Sequence, residues 1–185
     1  GDVYKRQVHE AAELFVKDGT PIPEKFAFMR PIVERLMEIP GRKFPEYEMG
    51  VKEDLTPCAF DAEDVWARGI ADLIIIDDDG LKAWIIDYKT GNDKYPDRDQ
   101  LVLMSLMVFA HFPHIRQVNS SLLFVVKNSM VKHKMMVDQK DFHWQLYRER
   151  VAKLVASHAN NVWNPTSTPL CGWCQVKSCE FNPKH

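Results

Sequence analysis

The chain has 185 residues, 45% of them hydrophobic, with a formal net charge of −2 and an isoelectric point near 6.4. This length allows one domain with a substantial core, and the charge excludes a protein that binds nucleic acid through an overall basic surface. We find no apolar run of membrane-spanning length and no signal-peptide pattern, so we expect a cytoplasmic protein. Because the chain begins with Gly1 rather than Met, we give residues 1–7 no weight.

The first half of the chain predicts two helices followed by strands. Pro31 suits the first turn of the second helix, and Pro40-Gly41 ends it. The turn Asp77-Asp78-Asp79-Gly80 predicts a hairpin between the last two strands. The predicted elements are helices over residues 8–17 and 31–38, a strand over 47–51, a loop over 54–64 that contains Cys58, and strands over 65–76 and 82–89.

The second half predicts a buried helix, two strands and a long helix before an irregular tail. The helix covers residues 100–111, and the strands cover 121–127 and 131–137 around Asn128-Ser129. Asp138 is suited to cap a helix that reaches about His158. We predict one domain over residues 1–163 and a Cys-rich tail over 164–185 that packs on it.

Strand alternation places acidic side chains at two neighbouring strands. Asp87 and Lys89 share one face, and Tyr88 points to the other. Asp72 lies among isoleucines and should be buried, which is costly for a carboxylate unless it is paired, for example with Arg68, or bound to a metal ion. A buried carboxylate pair with a lysine suits metal-assisted cleavage of a phosphodiester.

This pattern resembles the PD-(D/E)XK nuclease superfamily, and within it the RecB-like exonuclease branch with phage-encoded and CRISPR-associated relatives. The resemblance implies a restriction-endonuclease-like α/β fold with a central mixed sheet flanked by helices. The matching segments, in the order of the family, are His9 in the first helix, Gly69-Ile70-Ala71-Asp72, Asp87-Tyr88-Lys89-Thr90-Gly91, and the helix motif that starts at Gln100.

The resemblance implies that His9, Asp72, Asp87 and the Tyr88 carbonyl bind a divalent cation. Carboxylates with one imidazole fit Mg²⁺ or Mn²⁺. A glutamate before the first core strand completes the site in the family, and either Glu46 or Glu48 can fill that role, because both point to the same face.

The resemblance also implies roles for Lys89 and Gln100. Lys89 would orient or help to deprotonate the attacking water, and Gln100 would hold the DNA or the lysine. Met104 stands where the family usually has a tyrosine, and it cannot donate a hydrogen bond.

Three cysteines crowd the tail, and their spacing indicates a metal site. In several RecB-like relatives, a carboxy-terminal cysteine trio and one upstream cysteine hold an iron–sulfur cluster. Zinc is the alternative, with Cys58 or His185 as the fourth ligand, and free thiols remain a third interpretation. The four cysteines are Cys58, Cys171, Cys174 and Cys179.

The function that the resemblance implies is a metal-dependent exonuclease acting on the ends of linear DNA in a bacterial or phage-infected cell. A recombination or helicase partner is expected, and a membrane is not. Two alternatives stay open: a catalytically silent DNA-binding module of the same fold, and an endonuclease. The basic residues that could contact DNA, although an ordinary surface role is open for each, are Lys94, Arg98, Lys127, Lys132 and Lys134.

Overall fold

The computed structural model describes residues 2–183 and has a mixed α/β architecture. The chain divides into two compact units, Gly1–His143 and Trp144–His185. This division falls before the predicted boundary at residue 163, because the long last helix belongs mostly to the second unit. Within residues 2–183, no helix is both long and apolar enough to cross a membrane.

A six-stranded sheet forms the centre of the first unit, in the order β2-β1-β3-β4-β5-β6. All neighbours are antiparallel except β4 and β5, which are parallel and are therefore connected by a helix that crosses over. The sheet is thus mixed, as predicted. Its strands are β1 Arg42–Val51, β2 Pro57–Cys58, β3 Ala67–Ile76, β4 Lys82–Lys89, β5 Gln117–Phe124 and β6 Ser129–Met136.

The amino-terminal helices cover one face of the sheet. Helix α1 spans Asp2–Asp18, and α2 spans Arg30–Glu38 after a 3₁₀ segment over Glu24–Met29. Their apolar sides meet the inward residues of β3, β4 and β5 in a continuous core. The buried members of this core include Phe26, Met29, Val33, Leu73, Ile75, Ile86, Tyr88 and Leu123.

Helix α3, Arg98–His111, covers the other face and is the crossover between β4 and β5. It is apolar around most of its circumference, as a fully packed helix should be. Leu101 packs against Leu122 and Phe124 of β5. Ser105 is also buried, and its hydroxyl donates to the Leu101 carbonyl at 2.7 Å, which satisfies it within the helix.

The structure confirms the predicted hairpin and lengthens several predicted elements. The Asp77 carboxylate accepts the main-chain N–H groups of Leu81 and Lys82, which closes the turn between β3 and β4. Strand β5 begins four residues earlier than predicted, because its buried Ser120 interrupts the apolar pattern. Helix α1 includes most of the first seven residues, and Cys58 lies in the short strand β2 rather than in a loop.

The second unit contains most of α4, Lys140–Asn160, and a 3₁₀ turn over Pro169–Trp173. The Thr168 hydroxyl caps this turn by accepting the Leu170 N–H at 3.2 Å. Proline in the first turn and a threonine cap give order to a segment that lacks helical or strand periodicity.

We predict that Gly41→Ala destabilises the protein by at least about 2 kcal/mol, or roughly 4–8 °C in Tm. Gly41 has a φ of +119°, and an added Cβ would overlap the main-chain carbonyl of Ile76. Gly80→Ala is the matched control, because φ is +69° but no heavy atom lies within 4 Å, so the cost should stay near 1 kcal/mol. Equal losses for both variants in thermal unfolding would contradict the steric argument.

Candidate active site

Strands β3 and β4 separate at the positions of the two predicted carboxylates. Their pairing ends at Leu73 and Ile86, so Asp72 and Asp87 lie just beyond the last paired residues. Here the Tyr88 N–H donates to Asp72 Oδ2 at 2.6 Å instead of to the main chain of β3. Since the N–H and C=O of a strand residue lie on the same edge, the Tyr88 carbonyl also faces this opening.

Three candidate ligands from three elements meet beside the opening. His9 of α1 places Nδ1 3.1 Å from Asp72 Oδ1, and ligand atoms of His9, Asp72 and Glu46 all lie within 4.8 Å of one another. The other ring nitrogen of His9 is buried without a hydrogen-bond partner in residues 2–183. Two carboxylates and an imidazole at this spacing are suited to a divalent cation.

The backbone conformation of β1 differs at Glu46 and Glu48 and shows which of the two faces the cavity. Pairing between β1 and β3 is interrupted between Pro45 and Tyr47, and Glu46 has a φ of +44°. Glu46 thus lies opposite Asp72 and faces the cavity. Glu48 keeps ordinary pairing with Ile70 and is exposed outside it. Left-handed backbone at a non-glycine residue costs about 1–2 kcal/mol and is typical of functional sites.

Asp87, Lys89 and Gln100 form a closed network of side chains. Lys89 Nζ lies 2.6 Å from Asp87 Oδ2 and donates to Gln100 Oε1 at 2.9 Å. The Gln100 amide nitrogen donates to the other oxygen of Asp87. Gln100 is placed by the start of α3, where its own N–H is capped by Asp97 at 3.3 Å. The predicted pair on one strand face is therefore in contact, and Gln100 holds the lysine.

Burial and mutual repulsion shift the protonation of these groups. Burial and the charge of Asp72 raise the pKa of Glu46 to about 7. The same two causes raise the pKa of Asp87 against the opposing effect of Lys89. For His9, burial lowers the pKa, but the hydrogen bond and charge of Asp72 outweigh it and the net pKa is raised. A bound cation would relieve this concentration of negative charge.

One open cavity of about 600 Å³ collects these side chains. The residues that line it include His9, Glu46, Asp72, Asp87, Lys89 and Gln100.

A family model of the PD-(D/E)XK nuclease superfamily matches residues 4–179. The chain belongs to this superfamily. No curated protein matches the chain. Membership implies a metal-dependent nuclease, which is a hydrolase that acts on DNA, and the acidic cluster supplies a site where a divalent cation fits.

The departure at Met104 of this PD-(D/E)XK chain has a packing explanation. Met104 is 6% exposed and is absent from the lining of the cavity. A Cβ added to Gly69 would lie 3.0 Å from its sulfur, so the glycine of the β3 motif leaves room for the methionine. Met104 therefore has a packing role here.

The three tail cysteines line one cavity of about 650 Å³ within the second unit. All are free thiols, and two accept main-chain hydrogen bonds: Cys171 from Thr168 at 3.3 Å and Cys174 from Val176 at 3.5 Å. Within residues 2–183, no three cysteine sulfurs come within 4.8 Å of one another. Cys58, also a free thiol, belongs to the first unit, and His185 lies outside the described residues.

We predict that Glu46→Gln stabilises the metal-free protein at pH 8 but not at pH 5. A carboxyl whose pKa rises from 4.5 to about 7 on folding contributes stability at low pH that is lost as the pH rises through 7. Discounted for solvent screening, the gain at pH 8 should be on the order of 1 kcal/mol, or roughly 2–4 °C in Tm.

Thermal unfolding in EDTA at both pH values measures this difference. Glu48→Gln is the matched control, because Glu48 is an exposed glutamate on the same strand. A gain for Glu46→Gln that is equal at pH 5 and pH 8 would contradict the assigned cause.

Proposed function

We propose that the chain is a Mg²⁺- or Mn²⁺-dependent exodeoxyribonuclease of the RecB-like branch, which acts at the ends of linear DNA in recombination or repair. The observation that carries this proposal is one cavity that holds both the ligand cluster of His9, Glu46 and Asp72 and the Asp87–Lys89 pair. A catalytically silent binding module has no physical need for a lysine held against a buried carboxylate beside such a cluster.

The cation would be held by His9, Glu46, Asp72 and Asp87, with the Tyr88 carbonyl facing the same opening. The fit rests on the unpartnered ring nitrogen of His9 and on the raised pKa of Glu46, both of which indicate missing positive charge. When bound, a divalent cation polarises the scissile phosphate and lowers the pKa of a water molecule. Glu48 has no part in this arrangement.

Lys89 supplies a positive charge next to the carboxylate of Asp87, where the phosphate would react. Its side chain is 24% exposed, so its ammonium can reach the cavity while Asp87 and Gln100 restrict its position. From there it can orient the attacking water and stabilise the charge that develops on the phosphate oxygens. Gln100 acts as a positioning residue, because it contacts both members of the pair.

We further propose that Cys171, Cys174 and Cys179 hold a structural metal centre. Main-chain N–H groups that donate to sulfur are a common feature of thiolate ligands. A zinc ion with bonds of about 2.3 Å would require closer sulfurs than an iron–sulfur cluster, whose cysteines bind different iron atoms. Because no three sulfurs of the described cysteines lie within 4.8 Å of one another, the spacing favours the cluster.

Anaerobically purified protein should therefore have a brown iron–sulfur chromophore, and metal analysis should find iron. Replacing Cys174 by Ser should remove this absorption and loosen the tail, while the sheet keeps its far-ultraviolet circular dichroism. Zinc in place of iron would change the identity of the centre, and the absence of any metal would reject it.

Asp87→Ala and Lys89→Ala should each lower Mg²⁺- or Mn²⁺-dependent DNA hydrolysis by at least about 10³-fold, because each removes a group that acts in the transition state. Lys82→Ala is the matched control, because Lys82 is an exposed lysine at the opposite end of β4. This variant should hydrolyse DNA as the unchanged protein does. DNA degradation that persists in both site variants would contradict the proposed mechanism.

End-labelled linear DNA and covalently closed circular DNA distinguish an exonuclease from an endonuclease. We expect divalent-dependent loss of the linear substrate and no nicking of the circle under the same conditions. Cleavage of the circle would favour the endonuclease alternative, and binding without cleavage under either cation would favour the silent module.

A further inference from the structure

A groove of about 580 Å³ lies on the face of the sheet that also carries α1 and α2. Leu36 and Ile39, from the end of α2, form one wall, and Trp84 and Ile86 of β4 form the floor. The remaining side chains come from β5 and the edge strand β6. A concave surface of this volume is in the range of ligand-binding sites.

The far side of the groove is cationic. Lys132 and Lys134 are exposed on one face of β6, next to Ser121 and Asn119 of the neighbouring strand. Among the described residues these two lysines form no ion pair, and no Asp or Glu lines the groove. In a chain with a net charge of −2, this is a local positive surface that is free to receive a carboxylate or a phosphate.

Apolar side chains are exposed beside these lysines. Met130 is 41% exposed, and Trp84 of the floor and Ile39 of the opposite wall are partly exposed. Lysines on an edge strand commonly prevent another strand from adding to the sheet, but that role needs no apolar groove next to them. The combination of an apolar floor and a cationic rim fits an occupant that has both apolar and acidic groups.

The position of the groove favours a protein segment over nucleic acid. Trp84 and Ile86 point to the face of Tyr88, opposite to the face of Asp87 and Lys89. Trp84 also lies three residues before Asp87, about 10 Å along the strand. The groove and the metal-site cavity share no lining residue, so a protein partner bound in the groove leaves the site open.

We infer that this groove is a docking site for an acidic, apolar segment of a partner protein. Its carboxylates bind Lys132 and Lys134, and an apolar side chain packs between Trp84, Ile39 and Met130. In an extended segment, alternate side chains point to opposite sides, so acidic groups can face the lysines while apolar groups face the floor. This inference does not depend on the proposed nuclease activity.

A panel of fluorescein-labelled peptides tests the inference by fluorescence anisotropy. Each peptide matches the eight residues of β6 in length and alternates Asp or Glu with Ile, Leu, Phe or Trp. Each is compared with a counterpart in which the acids are replaced by Asn or Gln, and with oligodeoxythymidylate. We expect at least one acidic peptide to bind with a Kd below about 100 μM and its amide counterpart to bind at least about tenfold more weakly.

Charge reversal locates the binding. Lys132→Glu combined with Lys134→Glu should weaken the acidic peptide by more than about tenfold, and Trp84→Ala should weaken it by a smaller factor. Lys17→Glu combined with Lys94→Glu makes the same change of net charge at exposed positions outside the groove and should have little effect. Unfolding curves confirm that each variant is folded.

Three results would overturn the inference. No acidic peptide binds more tightly than its amide counterpart, or the two double variants lose binding equally. In the third, oligodeoxythymidylate binds the protein and the Lys132 and Lys134 double variant loses this binding but still binds the acidic peptides. That result would assign the groove to nucleic acid.

Discussion

The hydrogen bond from the Tyr88 N–H to the Asp72 carboxylate is the interaction on which the candidate site depends. It replaces a bond that continued pairing of β3 and β4 would have supplied, so a buried N–H is satisfied where the strands separate. The same bond fixes Asp72 in the opening, where His9 and Glu46 can reach it. Without it, the two carboxylates would lie side by side in a regular sheet with no space for a cation.

The cost of this arrangement is concentrated negative charge in a poorly solvated place. Asp72 and Asp87 are each 8% exposed, and burial together with the charge of Asp72 raises the pKa values of both Glu46 and Asp87. The neighbouring core of Leu73, Ile75 and Ile86 holds the strands in register right up to the opening. Stability supplied by packing thus compensates for a site that is unfavourable without its cation.

Local sequence determines some of the site, and tertiary structure determines the rest. Alternation along one strand was sufficient to predict that Asp87 and Lys89 share a face, and the buried position of Asp72 followed in the same way. Strand alternation could not show which of Glu46 and Glu48 faces the cavity. That is decided by the left-handed backbone at Glu46 and by the interruption of pairing with β3 there. The early start of β5 was missed for a similar reason, since its buried polar residues are satisfied by partners distant in the sequence.

The network around Asp87 explains how one carboxylate can serve both a cation and a lysine. One of its oxygens accepts a hydrogen bond from Gln100 and the other forms an ion pair with Lys89, but a carboxylate offers about four acceptor positions. Binding a cation therefore need not displace Lys89. Because Gln100 contacts the carboxylate and the lysine together, any shift of Asp87 toward a cation would carry the ammonium with it. The lysine two residues along the strand is thereby positioned relative to the metal ligand itself, which is what its proposed role at the phosphate requires.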